Sequence, residues 1–435
     1  TSNHLKPDAN GEVCAPDAPG LGMTVSPAAL RQYRVDVKID VGGKTLYAPV
    51  TFNNIISTTG ATVTGSTVSV VGDTSNIVTL VQGTTVDGDM TMGGSMILTA
   101  GDKSTSAGNT AIDLEGNLNG NFIIGSGASL TAVGNQARGI VVLGPIKACV
   151  NNSSLGYTCA NDGTALKSTG AFANFGTITV TGTIFPNRKG GNFESGSAII
   201  IGNSVDGGFF NAGPSTSNGT TALATITGNG DVVSGSSGTI FAPVVLIDPS
   251  QTVSTLNPTV RGPAILGPVG TPVDSVDGGK GYAFINHGTI SAQPVDLDVS
   301  ALAVAIQGSS ATNFTCLSGV ASSCSYTTTT GGPLTNTSSG FTVAANGLVT
   351  SGGLLNSGTI RAQAQTKEDT TSSIGATALY LGAFTTVPRI DVAGEFVSGG
   401  TFTSGVISAA VIGPGGGVAT AVQIGDQAVV PQIDV

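Results

Sequence analysis

The sequence contains no tryptophan, only two histidines and few charged residues. Charged residues make up 10% of the 435 positions and aromatic residues 5%. A nucleophilic triad would have to use His4 or His287, and no Gly-x-Ser-x-Gly elbow frames a serine. No stretch approaches the roughly 18 consecutive apolar residues of a membrane-spanning helix. We therefore expect no direct insertion of this chain into a membrane and no hydrolase of the serine-triad type.

Basic residues are also scarce. The 16 Lys and Arg residues are outnumbered by 26 Asp and Glu residues, which gives a net charge of −10. Nucleic-acid binding requires clustered Lys and Arg that displace counterions from phosphates, and the basic residues here are scattered. The same argument disfavours anionic membrane surfaces. We expect no nucleic-acid partner.

Amphipathic blocks of helix-forming residues are nearly absent, whereas glycine occurs 65 times. Apolar residues come in short runs that are divided by Gly, Ser, Thr, Asn and Asp. Residues 61–71 (ATVTGSTVSVV) and 85–92 (TVDGDMTM) alternate in this way. Such a pattern is typical of many short strands joined by turns. The sequence therefore predicts an all-β fold.

A short phrase recurs along the chain: an apolar residue, a spacer, Asn, any residue, then Gly-Thr-Ile. Its strong copies are Phe172-Ala-Asn-Phe-Gly-Thr-Ile178, Phe284-Ile-Asn-His-Gly-Thr-Ile290 and Leu354-Leu-Asn-Ser-Gly-Thr-Ile360. Weaker copies lie at 209–214, 234–240 and 396–402, and a second apolar element recurs between them at 197–202, 302–308, 378–382 and 421–425. Internal repetition of this kind predicts stacked copies of one small unit, a β-solenoid.

Each position of the phrase has a predicted structural role. We expect the isoleucines to point inward and form a column, the asparagines to bond the turn backbone and form a ladder, and the glycines to permit a positive φ at a corner. The predicted turn residues are Asn174, Gly176, Asn286, Gly288, Asn356 and Gly358. In the alternative, a β-sandwich array, Asn-x-Gly would be a hairpin turn. We favour the solenoid because more strand of matching character follows each copy.

Residues 1–60 differ from the rest. They are rich in proline and hold much of the basic charge, including Lys38 and Lys44. Residues 35–41 alternate apolar and charged side chains, and Gly42-Gly43 would turn this strand into a second one. The sequence predicts an N-terminal cap or adaptor over 1–60 and solenoid repeats over 61–435.

The five cysteines are placed in a way that suggests local disulfides. Cys149 and Cys159 bracket one short polar loop, and Cys316 and Cys324 bracket another. We predict two disulfide-stapled loops, near 149–159 and 316–324, and hence an oxidising compartment. Zinc is the competing interpretation, but neither pair has CxxC spacing. Cys14 is left over and would pair between chains, carry a modification or stay free.

Carboxylate pairs are the chain's candidates for catalysis or for weak calcium binding. These pairs are Asp296 with Asp298, Asp87 with Asp89, and Asp274 with Asp277. Polysaccharide-cleaving β-helices need two or three carboxylates on one face, but outward strand positions are commonly polar. His287 occupies a variable slot that holds Phe175 and Ser357 in other copies. We therefore expect no catalytic site and no cofactor, with calcium as the open alternative.

The segments 356–364 (NSGTIRAQA), 376–383 (ATALYLGA) and 387–392 (VPRIDV) resemble the passenger repeats of bacterial autotransporter-type proteins, especially alphaproteobacterial ones. The resemblance runs from about residue 60 to the end and is strongest after 170. It implies a right-handed parallel β-helix that is displayed on the outer membrane or released from it. Such passengers are usually poor in cysteine, and this chain departs from them there.

The expected function is structural rather than enzymatic. We expect a secreted or cell-surface β-helical subunit of a fibre, surface layer or similar appendage, with copies of itself as partners. The alternatives are an adhesin stalk that binds surface glycans and a β-helix polysaccharide lyase or hydrolase. The chain opens at Thr1 without Met or an apolar signal, so we expect that a signal peptide has already been removed.

Overall fold

The computed structural model describes residues 38–41, 44–47, 50–52, 61–63, 67–72, 76–100, 109–135, 137–149, 169–183, 197–213, 223–235, 238–251, 264–269, 281–310, 313–317, 326–327, 335–336, 352–367, 373–397 and 401–435. Within these ranges the regular structure is entirely β, and no helix occurs. The all-β prediction is confirmed.

The chain forms two compact units, Thr1–Ala48 and Pro49–Val435. In the first, Lys38–Val41 pairs antiparallel with Lys44–Tyr47. In the second, Val50–Phe52 already pairs in parallel with Val78–Leu80. The parallel sheets therefore begin within the segment 1–60.

Four rows of strands, which we call sheets 1 to 4, build the second unit. Sheet 1 contains Val50–Phe52, Val78–Leu80, Asn109–Leu114, Ala137–Val142, Ile199–Ile201, Val245–Ile247, Ser300–Ile306, Gly375–Leu381 and Val418–Ile424, with the hairpin Asp231–Gly235 and Gly238–Phe241 at one edge. Sheet 2 is a row of short strands: Thr85–Asp87, Asn117–Asn119, Ile146–Lys147, Ala264–Leu266, Thr315–Leu317 and Thr385–Thr386. Val205 bridges Ile146 to Leu266, and Val429 extends the row beyond Thr386.

Sheets 3 and 4 carry the repeated phrase. Sheet 3 contains Ala61–Val63, Met90–Met92, Phe122–Ile124, Phe172–Asn174, Phe209–Asn211, Phe284–Asn286, Leu354–Asn356, Ile390–Val392 and Ile433–Asp434. Sheet 4 contains Thr67–Gly72, Ser95–Ala100, Ser129–Asn135, Thr177–Thr183, Thr225–Gly228, Thr289–Ala292, Thr359–Gln365 and Val406–Ile412. Two further antiparallel hairpins are Tyr326–Thr327 with Thr335–Asn336 and Glu395–Val397 with Thr401–Thr403.

The chain visits sheets 1, 2, 3 and 4 in turn and then returns to sheet 1. One such round consists of Val78–Leu80, Thr85–Asp87, Met90–Met92 and Ser95–Ala100, after which Asn109–Leu114 pairs in parallel with the strand that opened the round. Parallel strands in stacked sheets are therefore the basis of the fold. The strong copies of the phrase join sheet 3 to sheet 4, and none of them is a hairpin turn.

The interior is made of apolar columns, because the same strand position faces inward in every round. The predicted isoleucine column in sheet 4 runs in register through Met96, Leu130, Ile178, Ile226, Ile290 and Ile360, all with 0% exposure, and reaches Ile407. The second recurring element forms the matching column in sheet 1, which includes Ile199, Val245, Val304 and Leu379.

Two of the segments predicted to be weaker copies of the phrase lie on hairpins instead. Residues 234–240 fall on the hairpin at the edge of sheet 1, and residues 396–402 fall on the hairpin Glu395–Val397 with Thr401–Thr403. Ser and Gly suit the connection between two antiparallel strands as readily as a corner. The prediction for these two segments is therefore wrong, whereas the copy at 209–214 stacks between the strong copies.

Candidate functional site

Four buried asparagines form a continuous ladder at the end of the sheet 3 strands. Asn174 Nδ2 donates to Asn211 Oδ1 (2.9 Å), Asn211 Nδ2 donates to Asn286 Oδ1 (2.7 Å), and Asn286 Nδ2 donates to Asn356 Oδ1 (2.7 Å). All four side chains have 0% exposure. A buried amide without a hydrogen-bond partner costs about 1–3 kcal/mol of stability. Each asparagine therefore depends on its neighbours in the ladder for its hydrogen bonds.

The ladder also holds the turn into sheet 4. The Gly176 backbone N–H donates to Asn174 Oδ1 (3.1 Å), and Asn174 Nδ2 also donates to the Gly176 carbonyl (3.2 Å). At the other end, Asn356 Nδ2 donates to the Val406 carbonyl (3.0 Å), which belongs to the following round. The asparagines thus bond within a turn and between rounds, as the sequence predicts.

Aromatic rings stack beside the ladder on the same strands. Phe122, Phe172, Phe209 and Phe284 lie at one register position, with successive ring centroids 5.3, 5.5 and 4.5 Å apart. All four rings are fully buried. Aromatic pairs at these separations stabilise packing by about 0.5–1.5 kcal/mol beyond the area they bury. The Phe of the phrase therefore fixes the register that its Asn requires.

The glycines of the phrase act through close approach rather than through backbone conformation. Gly176, Gly288 and Gly358 are absent from the glycines with positive φ, so the explanation offered by the sequence is wrong. A Cβ built at Gly288 would fall closer than 3.0 Å to the Ala224 carbonyl oxygen, a separation that real Cβ atoms do not adopt. Gly176 meets the Ala128 carbonyl in the same way. Glycine is required because the preceding round passes against it.

The variable slot of the phrase brings His287 and Ser357 together. His287 Nδ1 contacts Ser357 Oγ, and the imidazole packs edge-on against the Phe210 ring at a centroid distance of 5.7 Å. His287 is 8% exposed and Ser357 3%. The phrase places both residues in one slot, but no sequence pattern identifies the contact between their side chains. The buried pair therefore links two neighbouring rounds.

Two of the predicted carboxylate pairs lie in the described residues, and the first of them bonds the following round. Asp87 Oδ1 accepts a hydrogen bond from Asn119 Nδ2 (2.6 Å), and Asp89 Oδ1 accepts one from the Asn121 backbone N–H (2.7 Å). Both carboxylates thus bond the next round. Asp274 and Asp277 lie outside the described residues.

Asp296 and Asp298 also take separate roles. Asp298 has a φ of 62° and accepts a hydrogen bond from the Lys367 backbone N–H (3.0 Å), with the Lys367 ammonium 3.8 Å from its other oxygen. Asp296 is exposed. Asp298 therefore links two rounds, and calcium binding at this pair stays a prediction.

Asp231 is a buried carboxyl that no sequence pattern identifies. It is 5% exposed and begins the hairpin at the edge of sheet 1. Burial raises the pKa of Asp231 to about 7; a hydrogen bond from Asn229 opposes the shift and the nearby Asp296 carboxylate adds to it. No local pattern distinguishes this residue from the other acids, because its burial depends on packing between distant segments.

Cys149 and Cys316 are each in a disulfide. Cys316 lies on the fully buried strand Thr315–Leu317 of sheet 2 rather than in a loop. Cys159, Cys324 and Cys14 lie outside the described residues, so the two predicted pairings stay predictions.

The described residues contain neither a metal-binding cluster nor a helix able to cross a membrane. No group of three or more His, Cys, Asp or Glu side chains there is placed to hold a metal ion. In the same ranges, no helix has the length and apolarity needed to cross a membrane.

Comparison with known proteins gives no relative. No protein-family model matches the chain, and neither a curated protein nor a solved structure matches it. The geometry alone therefore characterises the site: a dry corner whose polar groups bond one another and whose residues join one round to the next.

Proposed function

We propose that this protein is a right-handed parallel β-helix and serves as the structural subunit of an extracellular assembly, such as a fibre or surface layer. The observation that carries the proposal is the asparagine ladder. Its amides bond to one another and to turn backbone over four successive rounds, which suits a rigid scaffold. The right hand follows from the strong preference of parallel crossover connections.

The proposed location is the bacterial cell surface or the medium around it. The low charge, the disulfides at Cys149 and Cys316, and the resemblance of 356–392 to autotransporter-type passenger repeats support this location. We propose no catalytic activity and no cofactor, because the candidate carboxylates Asp87, Asp89 and Asp298 bond neighbouring rounds.

A second candidate, an adhesin that binds neutral glycans, has one observation in its favour. The outward positions of sheet 4 form rows of hydroxyl side chains, such as Thr131, Thr179 and Thr227 in register. These threonines are half-buried, and Thr227 Oγ1 donates to Thr179 Oγ1 (3.2 Å). Glycan-array binding that is lost in Thr179→Lys but kept in the parent protein would favour this function.

Sedimentation velocity and electron microscopy of the purified chain test the structural proposal. We expect large species that appear as regular filaments or sheets. The variant Asn211→Ala, which interrupts the ladder, should be less stable and should lose the regular assembly, whereas Thr177→Ala on the exposed face should keep its stability and the assembly. Monodisperse monomers of the well-folded parent protein under all conditions would count against the proposal.

A further inference from the structure

The last strands of three sheets lie together at one end of the stack. They are Val406–Ile412 in sheet 4, Val418–Ile424 in sheet 1 and Ile433–Asp434 in sheet 3, and within the described residues each pairs with one neighbouring strand only. An edge strand presents a row of unpaired N–H and C=O groups that can pair with another strand. The three sheets therefore end in a common parallel edge, which we call the last round.

The last round lacks the features by which proteins usually protect an exposed edge. Val406–Ile412 and Val418–Ile424 contain neither a charged residue nor proline, and both would oppose pairing with a further strand. Apolar side chains are exposed along them, since Val418 is 60% exposed and Ile412 52%. In the preceding round, by contrast, the inward residues of Thr359–Gln365 are fully buried. The last round is therefore suited to being covered by a further round.

The opposite end of the same three sheets matches the last round in register. Each of three columns begins and ends with an apolar residue, from Val68 to Ile407 in sheet 4, from Val50 to Val422 in sheet 1 and from Ala61 to Ile433 in sheet 3. In the part of the chain that the structure describes, the strands that open these columns also pair on one side only. The two ends thus present the same three sheets, with parallel strands and apolar residues at the same register positions.

We propose that the last round of one copy docks head to tail on the first strands of a second copy, so that the parallel sheets continue across the junction. This inference rests on the proposed self-assembly and names the surface through which it takes place. A second copy is the occupant because it carries the same three sheets in matching register. The junction joins two different surfaces, and a heterologous contact of this kind that does not close into a ring extends into a filament. It covers the apolar side chains of the last round, including Val418 and Ile412.

Cysteine cross-linking across the junction tests the proposal. Ser69 and Ser408 begin and end the row of sheet 4 that contains Thr179, and both are half-buried. In the proposed junction they lie on neighbouring strands about 4.8 Å apart, a separation that falls within the Cα distance of about 4.4–6.8 Å that a disulfide spans. All proteins carry Cys14→Ser, which removes the cysteine left over from the predicted pairings. We expect the Ser69→Cys/Ser408→Cys protein to form a ladder of covalent multimers under mild oxidation.

The matched control is Ser69→Cys/Thr179→Cys, whose second cysteine lies in the middle of the same row and should give no ladder. Circular dichroism establishes that each variant keeps its β structure. A ladder that is absent from the folded Ser69→Cys/Ser408→Cys protein, or equally strong in the control, would overturn the junction. If the parent protein still sedimented as large species, assembly would then use another surface and the proposed function would stand. Monomeric parent protein without a ladder would overturn both.

A second measurement changes an exposed apolar side chain of the last round. Val418→Lys should reduce the fraction of large species in sedimentation velocity several-fold, because lysine on an edge strand opposes pairing with a further strand. Its control is Leu223→Lys, at a side chain that is 47% exposed and lies far from the last round in sequence, and this variant should assemble like the parent protein. Equal assembly of the two folded variants would overturn the proposal.

Discussion

Sheet 3 consists of two parts that bury their strands differently. In the open part, Met90–Met92 and Phe122–Ile124, inward residues are buried and the outward Thr91 and Ile123 are half-exposed. In the covered part, Phe172–Asn174, Phe209–Asn211, Phe284–Asn286 and Leu354–Asn356, every residue is buried. The difference arises because a second apolar cluster, including Val269 and Tyr282, packs on the outward Phe210 and Ile285.

An asparagine occupies the corner in the covered part, and apolar residues occupy it in the open part. The open strands carry Met92 and Ile124 at this register position, where the covered strands carry Asn174 and Asn211. This position has 0% exposure in both parts. Apolar side chains fill it in the open strands, and a polar side chain there is tolerated only if every group bonds another. A ladder of identical residues meets that condition. Four predictions test this contrast between the two parts.

The largest difference is expected between corner glycines. Gly288→Ala, in the covered part, forces a Cβ against the Ala224 carbonyl, and we expect a loss of more than about 4 kcal/mol or failure to fold. Gly125→Ala, in the open part, places its Cβ 3.3 Å from the Met92 carbonyl and should cost less than about 1 kcal/mol. Urea unfolding of both variants measures the difference, and equal losses would break the comparison.

Packing on the sheets also buries one carboxyl, that of Asp231. Asp231 titrates near 3.8 when unfolded and near 7 when folded, so the folded state retains a proton that the unfolded state has released. The resulting stabilisation is complete below about pH 4 and is lost as the pH rises through 7. A shift of this size corresponds to at most about 4 kcal/mol.

The pH dependence of unfolding measures that contribution. Urea midpoints at about pH 5 and about pH 8 are compared for the parent protein and Asp231→Asn. We expect the variant to lose less stability than the parent over this interval, while Asp87→Asn, in the first rounds, behaves like the parent. A variant with the parent's pH dependence would show that Asp231 does not titrate between the two states.

Outward side chains of sheet 3 provide the next contrast. Phe210 is 4% exposed, and Phe210→Ala should cost about 3 kcal/mol, as for a core phenylalanine. Ile123, at the same register position two rounds earlier, is half-exposed, and Ile123→Ala should cost about 1 kcal/mol. Chemical denaturation measures both values. A similar cost at the two positions would mean that the outer cluster contributes little.

Sequence patterns predicted which positions stack in the covered part, whereas for the open part they predicted only strands within the solenoid repeats of 61–435. The ladder and the isoleucine column could be predicted because identical residues recur at identical positions. The open strands Met90–Met92 and Phe122–Ile124 lack the asparagine that marks the phrase, and only the parallel register relates them to it. Composition resembling the phrase also misled at 234–240, because Gly and Ser fit a hairpin turn as well as a corner.

The physical reason for a residue was harder to predict than its position. Glycine at the corner was predicted at the right places for the wrong cause, because the approach of Ala224 to Gly288 involves segments far apart in sequence. The raised pKa of Asp231 and the contact of His287 with Ser357 depend on packing of the same long-range kind. The sequence of one round does not determine which residues of the next round pack against it.

The smallest of the four effects is expected at single asparagines. Asn211→Ala removes the acceptor of Asn174 and the donor to Asn286, and leaving two buried groups without partners should cost about 2 kcal/mol. Asn119→Ala, in the first rounds, removes one half-buried bond to Asp87 and should cost less than about 1 kcal/mol, because water replaces it. Urea denaturation of both variants measures the two losses of stability. If Asn119→Ala were the more damaging, the ladder would not be what holds the covered rounds in register.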